Sequence, residues 1–439
     1  MRSSPYDREI RRLAIPALGS LTVEPLYVLV DTAIVGHLGT AQLGGLGVAG
    51  VVLTSMFAIF NFLAYSTTAA VARRFGAGLH REAAEQGVAG IWLGIGLGVL
   101  LAFAGLAGSQ LIVDAMGASA TVHPYALTYL RISLAGIPAV MIVLGATGYF
   151  RGLQNTALPF VVLLASNLLN LVVELVLVFG LDLGVAGSAW STVVAQWVAA
   201  TVFVVLVMRR ARREGASIRP VATEVRNAGK VGATFSVRTG ALLLALLGAT
   251  AVAARIGDAE VAAYQITFQV WLLLVLGLDA IAIAGQAMVG RYLGAGTATE
   301  ARAAATRMLQ WGLLIGVVLV VVVVLAREPL VAVFTPDDQV RALAAQALLV
   351  VALLQPMGAV VFVLDGVLIG AGEARYLAIV TIVATFVVYT PIALLVLAAT
   401  GPLWTLWLAL GAWIAARCIG NVWRFVGDRW QITGSVRPL

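Results

Sequence analysis

The sequence predicts an all-α polytopic membrane protein of 12 transmembrane helices, built as two six-helix lobes related by a pseudo-two-fold axis along the membrane normal. Three observations predict it. Apolar runs repeatedly exceed the roughly 20 residues that cross a hydrocarbon core at about 1.5 Å per residue; 61% of the 439 residues are hydrophobic and only 11% charged. The chain repeats itself at a spacing of 218 residues. Lysine and arginine alternate between loops as they do across a membrane.

Counting apolar runs places spans at roughly 10–36, 44–72, 84–108, 122–150, 156–180, 184–208, 229–256, 261–290, 302–326, 339–370, 374–399 and 402–425. With the N-terminus inside, 23 of the 28 Lys and Arg fall on the cytoplasmic side. Arg255, Arg327 and Arg341 fall outside, and Arg131 and Arg238 within spans. That bias sets both termini in the cytoplasm; a bacterial or archaeal inner (plasma) membrane is the expected location. Arg8, Arg11 and Arg12 precede a first span that holds two acids, which reads as an uncleaved helix rather than a removed signal peptide.

Composition also excludes several functions. The net charge of +7 is spread by topology rather than gathered in a patch, so no nucleic-acid partner is expected. Cys418 is the only cysteine, and His37, His80 and His123 sit in separate loops, so neither a disulfide nor a structural metal is expected. Gly229-Lys230-Val231 lacks the spaced glycine and the Ser/Thr of a phosphate loop. No enzyme activity, ATPase or other, and no cofactor is expected.

The repeat aligns Gly39 with Gly257, Arg73 with Arg291, Glu82 with Glu300, Pro138 with Pro356, Gly148 with Gly366 and Gly152 with Gly370, without a gap. Such residues punctuate helices, so the matches are not a by-product of an Ala, Leu and Val-rich composition. Six spans per copy is an even number, so both copies enter from the same side, as in parallel-repeat transporters. The predicted division is 1–208 for the N-lobe, 209–228 for a cytoplasmic linker and 229–439 for the C-lobe. The linker arginines read as topology determinants or contacts for anionic lipid.

Asp31 in the first span is the leading site residue, because a carboxylate about two turns inside the hydrocarbon is expensive and marks an ion or substrate path. Glu24 lies seven residues earlier on the same face. Pro16 and Pro25 each remove a backbone hydrogen bond and are the candidate hinge of that helix. Asn61 aligns with Asp279, which hints at a shared cavity-facing position. Tyr129 in the fourth span can reach a carboxyl or join an aromatic belt. Asn170 and Glu174 stack at a spacing of four on the fifth span, and Ser188 and Thr192 follow on the sixth. Together with Asp31 these form a proton-binding pair, an oxygen cage for Na⁺, or an interhelical polar clamp. Gln265, Gln269 and Asp365 are further embedded polar residues of the second half. Trp271, Trp311, Trp404, Trp407 and Trp430 read mainly as interfacial anchors.

The sequence resembles the multidrug and toxic compound extrusion (MATE) transporters, particularly the DinF-like branch. The resemblance rests on the proline fifteen residues before Asp31 in VDTAIVGHLGT, on RRFGAGLHREA and GRYLGAGTATEA, and on DGVLIGAG, in that order. It implies a monomeric efflux antiporter that exports varied, often cationic or amphipathic small molecules against H⁺ or Na⁺. It maps the cation site to Asp31, Asn170 and Glu174, with Thr192 and Tyr129 nearby. Glu174 stands where related members commonly carry Asp. The family's other branch pairs an acid on the seventh helix with one on the tenth; Asp365 matches the latter, and the seventh span has none.

Three other readings compete. A lipid-linked precursor flippase of the same superfamily predicts a cationic cavity and often two extra helices. A major facilitator transporter predicts an Asp before the glycine-arginine loop, which VARRFGAG lacks. A channel suits two diverged halves poorly.

Overall fold

A computed structural model describes residues 4–399 and 401–436, all in helices, turns and short connections. In chain order the helices are α1 (Tyr6–Gly36), α2 (Thr40–Phe60), α3 (Phe62–Gly76), α4 (His80–Ala115), α5 (His123–Leu134), α6 (Ile137–Gly152), α7 (Ala157–Leu175) and α8 (Gly184–Arg213). The second half adds α9 (Ala222–Ile256), α10 (Asp258–Gly294), α11 (Ala298–Phe334), α12 (Asp338–Gly370), α13 (Ala374–Val383), α14 (Thr390–Ala398) and α15 (Leu403–Val426).

Twelve spans emerge from these among the described residues. At Asn61 the backbone stays helical, φ −58° and ψ −15°, so α2 and α3 form one span, Thr40–Gly76. Helices α5 and α6 are bent by 49° around Ala135 and Gly136, just before Pro138. A π turn, Val176–Gly180, prolongs α7, and another, Ala384–Tyr389, joins α13 to α14. Pro16 and Pro25 both lie inside an unbroken α1.

By contact the chain forms two units. The first is Ile15–Gly232; the second is Ala233–Leu439 together with Met1–Ala14. Ala233 follows Ile15 by the repeat spacing, so the division falls at equivalent points inside α1 and α9. Composition places the boundary in the linker; contact places it three turns into α9. In the second unit, Asp7 of α1 takes hydrogen bonds from Arg307 Nε and Nη2 at 2.6 and 2.7 Å and from Trp311 Nε1 at 2.8 Å. Glu9 pairs with Arg291 at 2.7 Å and accepts from Tyr292 at 3.0 Å. In the first unit, Glu224 of α9 pairs with Arg74 at 2.9 Å.

Close helix crossings repeat as well. A methyl at Gly98 would strike Pro138, and one at Gly316 would lie 2.9 Å from Pro356 Cα. A methyl at Gly148 would strike the Ala64 carbonyl, and one at Gly366 that of Ala282. Without a hydrophobic drive between helices in lipid, this backbone-to-backbone approach is what glues them. Gly78 and Gly296, at φ 75° and 81°, end α3 and α10 in a conformation that side chains resist.

The tryptophan reading needs correction. Trp404 is 39% exposed, but Trp407 and Trp430 are buried. Their indole N–H groups are satisfied inside the protein, by Thr267 Oγ1 at 3.1 Å and the Phe425 carbonyl at 2.9 Å, so neither has to reach a membrane interface.

Candidate functional site

Four helices of the first unit converge on Asp31. Helix α1 supplies Asp31 and, one turn earlier, Tyr27; α5 supplies Tyr129; α7 supplies Asn170 and Glu174; α8 supplies Ser188 and Thr192. The spacing of four on each of α1, α7 and α8 stacks two polar groups on one face. Ser166 Oγ donates to the Ala195 carbonyl at 2.7 Å and ties α7 to α8 one turn away.

Ser188 Oγ donates to Asp31 Oδ1 at 2.5 Å. Glu174 lies against both Asp31 and Ser188. Thr192 Oγ1 is the second node: it shares a 2.8 Å hydrogen bond with the Tyr27 hydroxyl, accepts from Asn170 Nδ2 at 3.4 Å, and donates to the Ser188 carbonyl at 3.1 Å. The Tyr129 hydroxyl is directed at Thr192 and Ser188. Asp31 is 4% exposed, Glu174 0% and Asn170 2%. Both oxygens of Glu174 and the amide oxygen of Asn170 are buried without a hydrogen-bond donor.

The structure therefore brings together Asp31, Asn170, Glu174, Thr192 and Tyr129. Tyr27 was missed by sequence reasoning, although its spacing of four from Asp31 was a usable signal; Ser188 was read with Thr192 as a hydroxyl meeting Asp31, and it is Ser188 that bonds the carboxylate. The set suits a small hard cation, since hydroxyl oxygens, an amide oxygen and two carboxylates converge there. Na⁺ would be held by Asp31, Glu174, Asn170 Oδ1 and Thr192, and a proton by either carboxyl.

The remaining candidates stand elsewhere. Glu24, Asn61, Gln265 and Gln269 are exposed, and Asp279 is half-buried. Asp365 is buried in the second unit, where Oδ2 accepts from Arg238 Nη2 and Arg417 Nη2, both at 2.5 Å, and Oδ1 accepts from Asn421 Nδ2 at 2.9 Å. Arg417 also stacks on Trp413 at 4.9 Å. Sequence reasoning counted Arg417 among the cytoplasmic charges; it is buried, because Asp365 compensates it.

The MatE family model matches the chain twice, over residues 16–176 and 240–395, once in each half. The chain belongs to the MatE family. As a MatE member it is a multi-pass membrane transporter, and the DinF-like resemblance holds. It is 31% identical over 431 residues to Protein DETOXIFICATION 44, chloroplastic, of Arabidopsis thaliana, covering 95% of this chain and 81% of that one. It is 29% identical to DNA damage-inducible protein F of Escherichia coli, covering 95% and 92%. A solved Vibrio cholerae MATE transporter superposes with a TM-score of 0.87 at 22% identity, over 97% of this chain and 99% of that one, which supports the two-lobe, 12-helix MatE fold.

Proposed function

We propose that the protein is a secondary active efflux antiporter, exporting organic, often cationic or amphipathic small molecules in exchange for H⁺ or Na⁺. One observation carries the reading: Asp31 and Glu174 are two buried carboxyls in contact, and what faces them is hydroxyl and amide rather than arginine or lysine. Two ionised carboxylates there would repel each other in a medium of low dielectric, so the pair is suited to take up one positive charge. Glu174 in place of the shorter Asp brings its carboxyl up to Asp31, which favours a shared proton over a roomier Na⁺ cage.

In this reading the ion enters from outside, loads Asp31, draws α1 and α8 together through Ser188, and bends α1 at Pro16 and Pro25 so that substrate leaves outward. One charge crossing the membrane contributes about 2.3 kcal/mol per 100 mV, enough to drive a concentrative step. The placement follows: a plasma membrane, both termini cytoplasmic, a monomer among lipids.

The test is Asp31→Asn in proteoliposomes, with ethidium efflux driven by a pH gradient or by a Na⁺ gradient. Gradient-driven movement should vanish while the melting temperature is kept; undiminished transport would refute the role of Asp31. Dependence on one gradient alone names the ion.

A further inference from the structure

The second unit holds a charge cluster that cation coupling at Asp31 leaves unused. Arg238 on α9 and Arg417 on α15 crowd onto one oxygen, Asp365 Oδ2, and Asn421 serves the other. All four residues are buried, with Arg238 6% and Arg417 4% exposed. A guanidinium carries five N–H donors in a rigid fork that fits a carboxylate or phosphate in bidentate fashion. Here each fork engages Asp365 through Nη2 alone, and Arg238 Nε is buried with no hydrogen-bond partner. An unmatched buried donor of a charged group is costly unless an acceptor arrives.

Charge points the same way. Two guanidiniums converge on one carboxylate oxygen, and a second acid, Asp279, lies within electrostatic reach of Arg417. On the face of α12 that carries Asp365, the buried Gly358, seven residues earlier, has open space where a methyl would stand.

We propose that Arg238, backed by Arg417, is a receptor for one anionic group, a carboxylate or phosphate carried by a small amphiphile, which takes the N–H edges that Asp365 leaves free. Asp365 Oδ2 bonds both forks and so holds them in register. The residues of this site belong to the second unit and those of the cation pair to the first, so a failed Asp31 experiment leaves it untouched.

The experiment compares benzoate with its neutral isostere benzamide, binding to purified protein in phosphatidylcholine nanodiscs. The wild type should prefer benzoate by about tenfold or more. Arg238→Gln should erase the preference, and Arg238→Lys, which keeps the charge but not the fork, should restore part of it. Equal affinity for the two probes in the wild type, or a preference that survives Arg238→Gln, overturns the proposal. Should Arg238→Gln fail to fold, Arg238→Lys decides: with the charge kept and the fork lost, the preference for benzoate should fall severalfold, and an unchanged preference overturns the proposal. Phosphatidylglycerol nanodiscs identify the source of the anion. Arg238-dependent benzoate binding that is lost there assigns the site to a lipid head group, and binding that persists assigns it to a free anion.

Discussion

Removing the Asp365 carboxylate should be far more damaging than removing either of its arginines, and the cluster geometry fixes the order. Asp365→Ala leaves Arg238 and Arg417 buried against each other without the carboxylate that both of them bond. Breaking a buried pair by deleting one partner typically costs about 3–5 kcal/mol. Arg417→Met leaves a matched pair, because Arg238 still donates to Asp365 Oδ2 and Asn421 to Oδ1. Its cost is that of one charged hydrogen bond, about 1.5–3 kcal/mol. The double variant carries one unmatched arginine rather than two, so it should be less damaged than the sum of the single variants by about 1 kcal/mol or more. Reversible unfolding in mixed detergent micelles measures all three. Strict additivity, or Asp365→Ala within about 1 kcal/mol of wild type, would refute a mutually compensated ion cluster.

Further outcomes follow from single contacts. Gly366→Ala drives a methyl into the Ala282 carbonyl and should lower the melting temperature sharply, whereas Gly277→Ala, facing open space, should be close to neutral. In the transport assay Thr192→Val removes the hydroxyl on which Tyr27, Asn170 and Tyr129 converge; it should slow cation-driven efflux more than Tyr27→Phe, which deletes one bond of that node. Equal losses would show that Thr192 is not the hub. Asp7→Asn weakens a forked pair with Arg307 that is 16% and 12% exposed at its two side chains. It should lower the melting temperature by a few degrees and lessen the sensitivity of that temperature to salt.

Much of the site could be read from residue spacing. A carboxylate deep in an apolar span, and an amide and an acid four residues apart, are rare enough to stand out, and Asp31, Asn170 and Glu174 do meet. Tyr27 escaped because an aromatic in a membrane helix is unremarkable until its hydroxyl is seen to have a partner. Arg417 escaped for a different reason. Its position near a span end fitted the loop-charge pattern, and only the approach of α9, α12 and α15 shows it turned inward to Asp365. The same long-range packing hid the roles of Trp407 and Trp430, since a tryptophan that finds Thr267 and one that finds lipid head groups look alike in sequence.

The division of contacts inside α1 and α9 has a consequence for how the chain can be taken apart. A nick in the loop between Arg213 and Ala222 cuts the polypeptide where composition says it should come apart, yet each fragment then carries off the opening turns of a helix that its counterpart needs. Asp7 and Glu9 leave with one piece, and their arginines with the other. Coexpressed fragments should therefore reassemble by exchanging these turns, whereas either fragment alone keeps a surface that its own residues cannot cover.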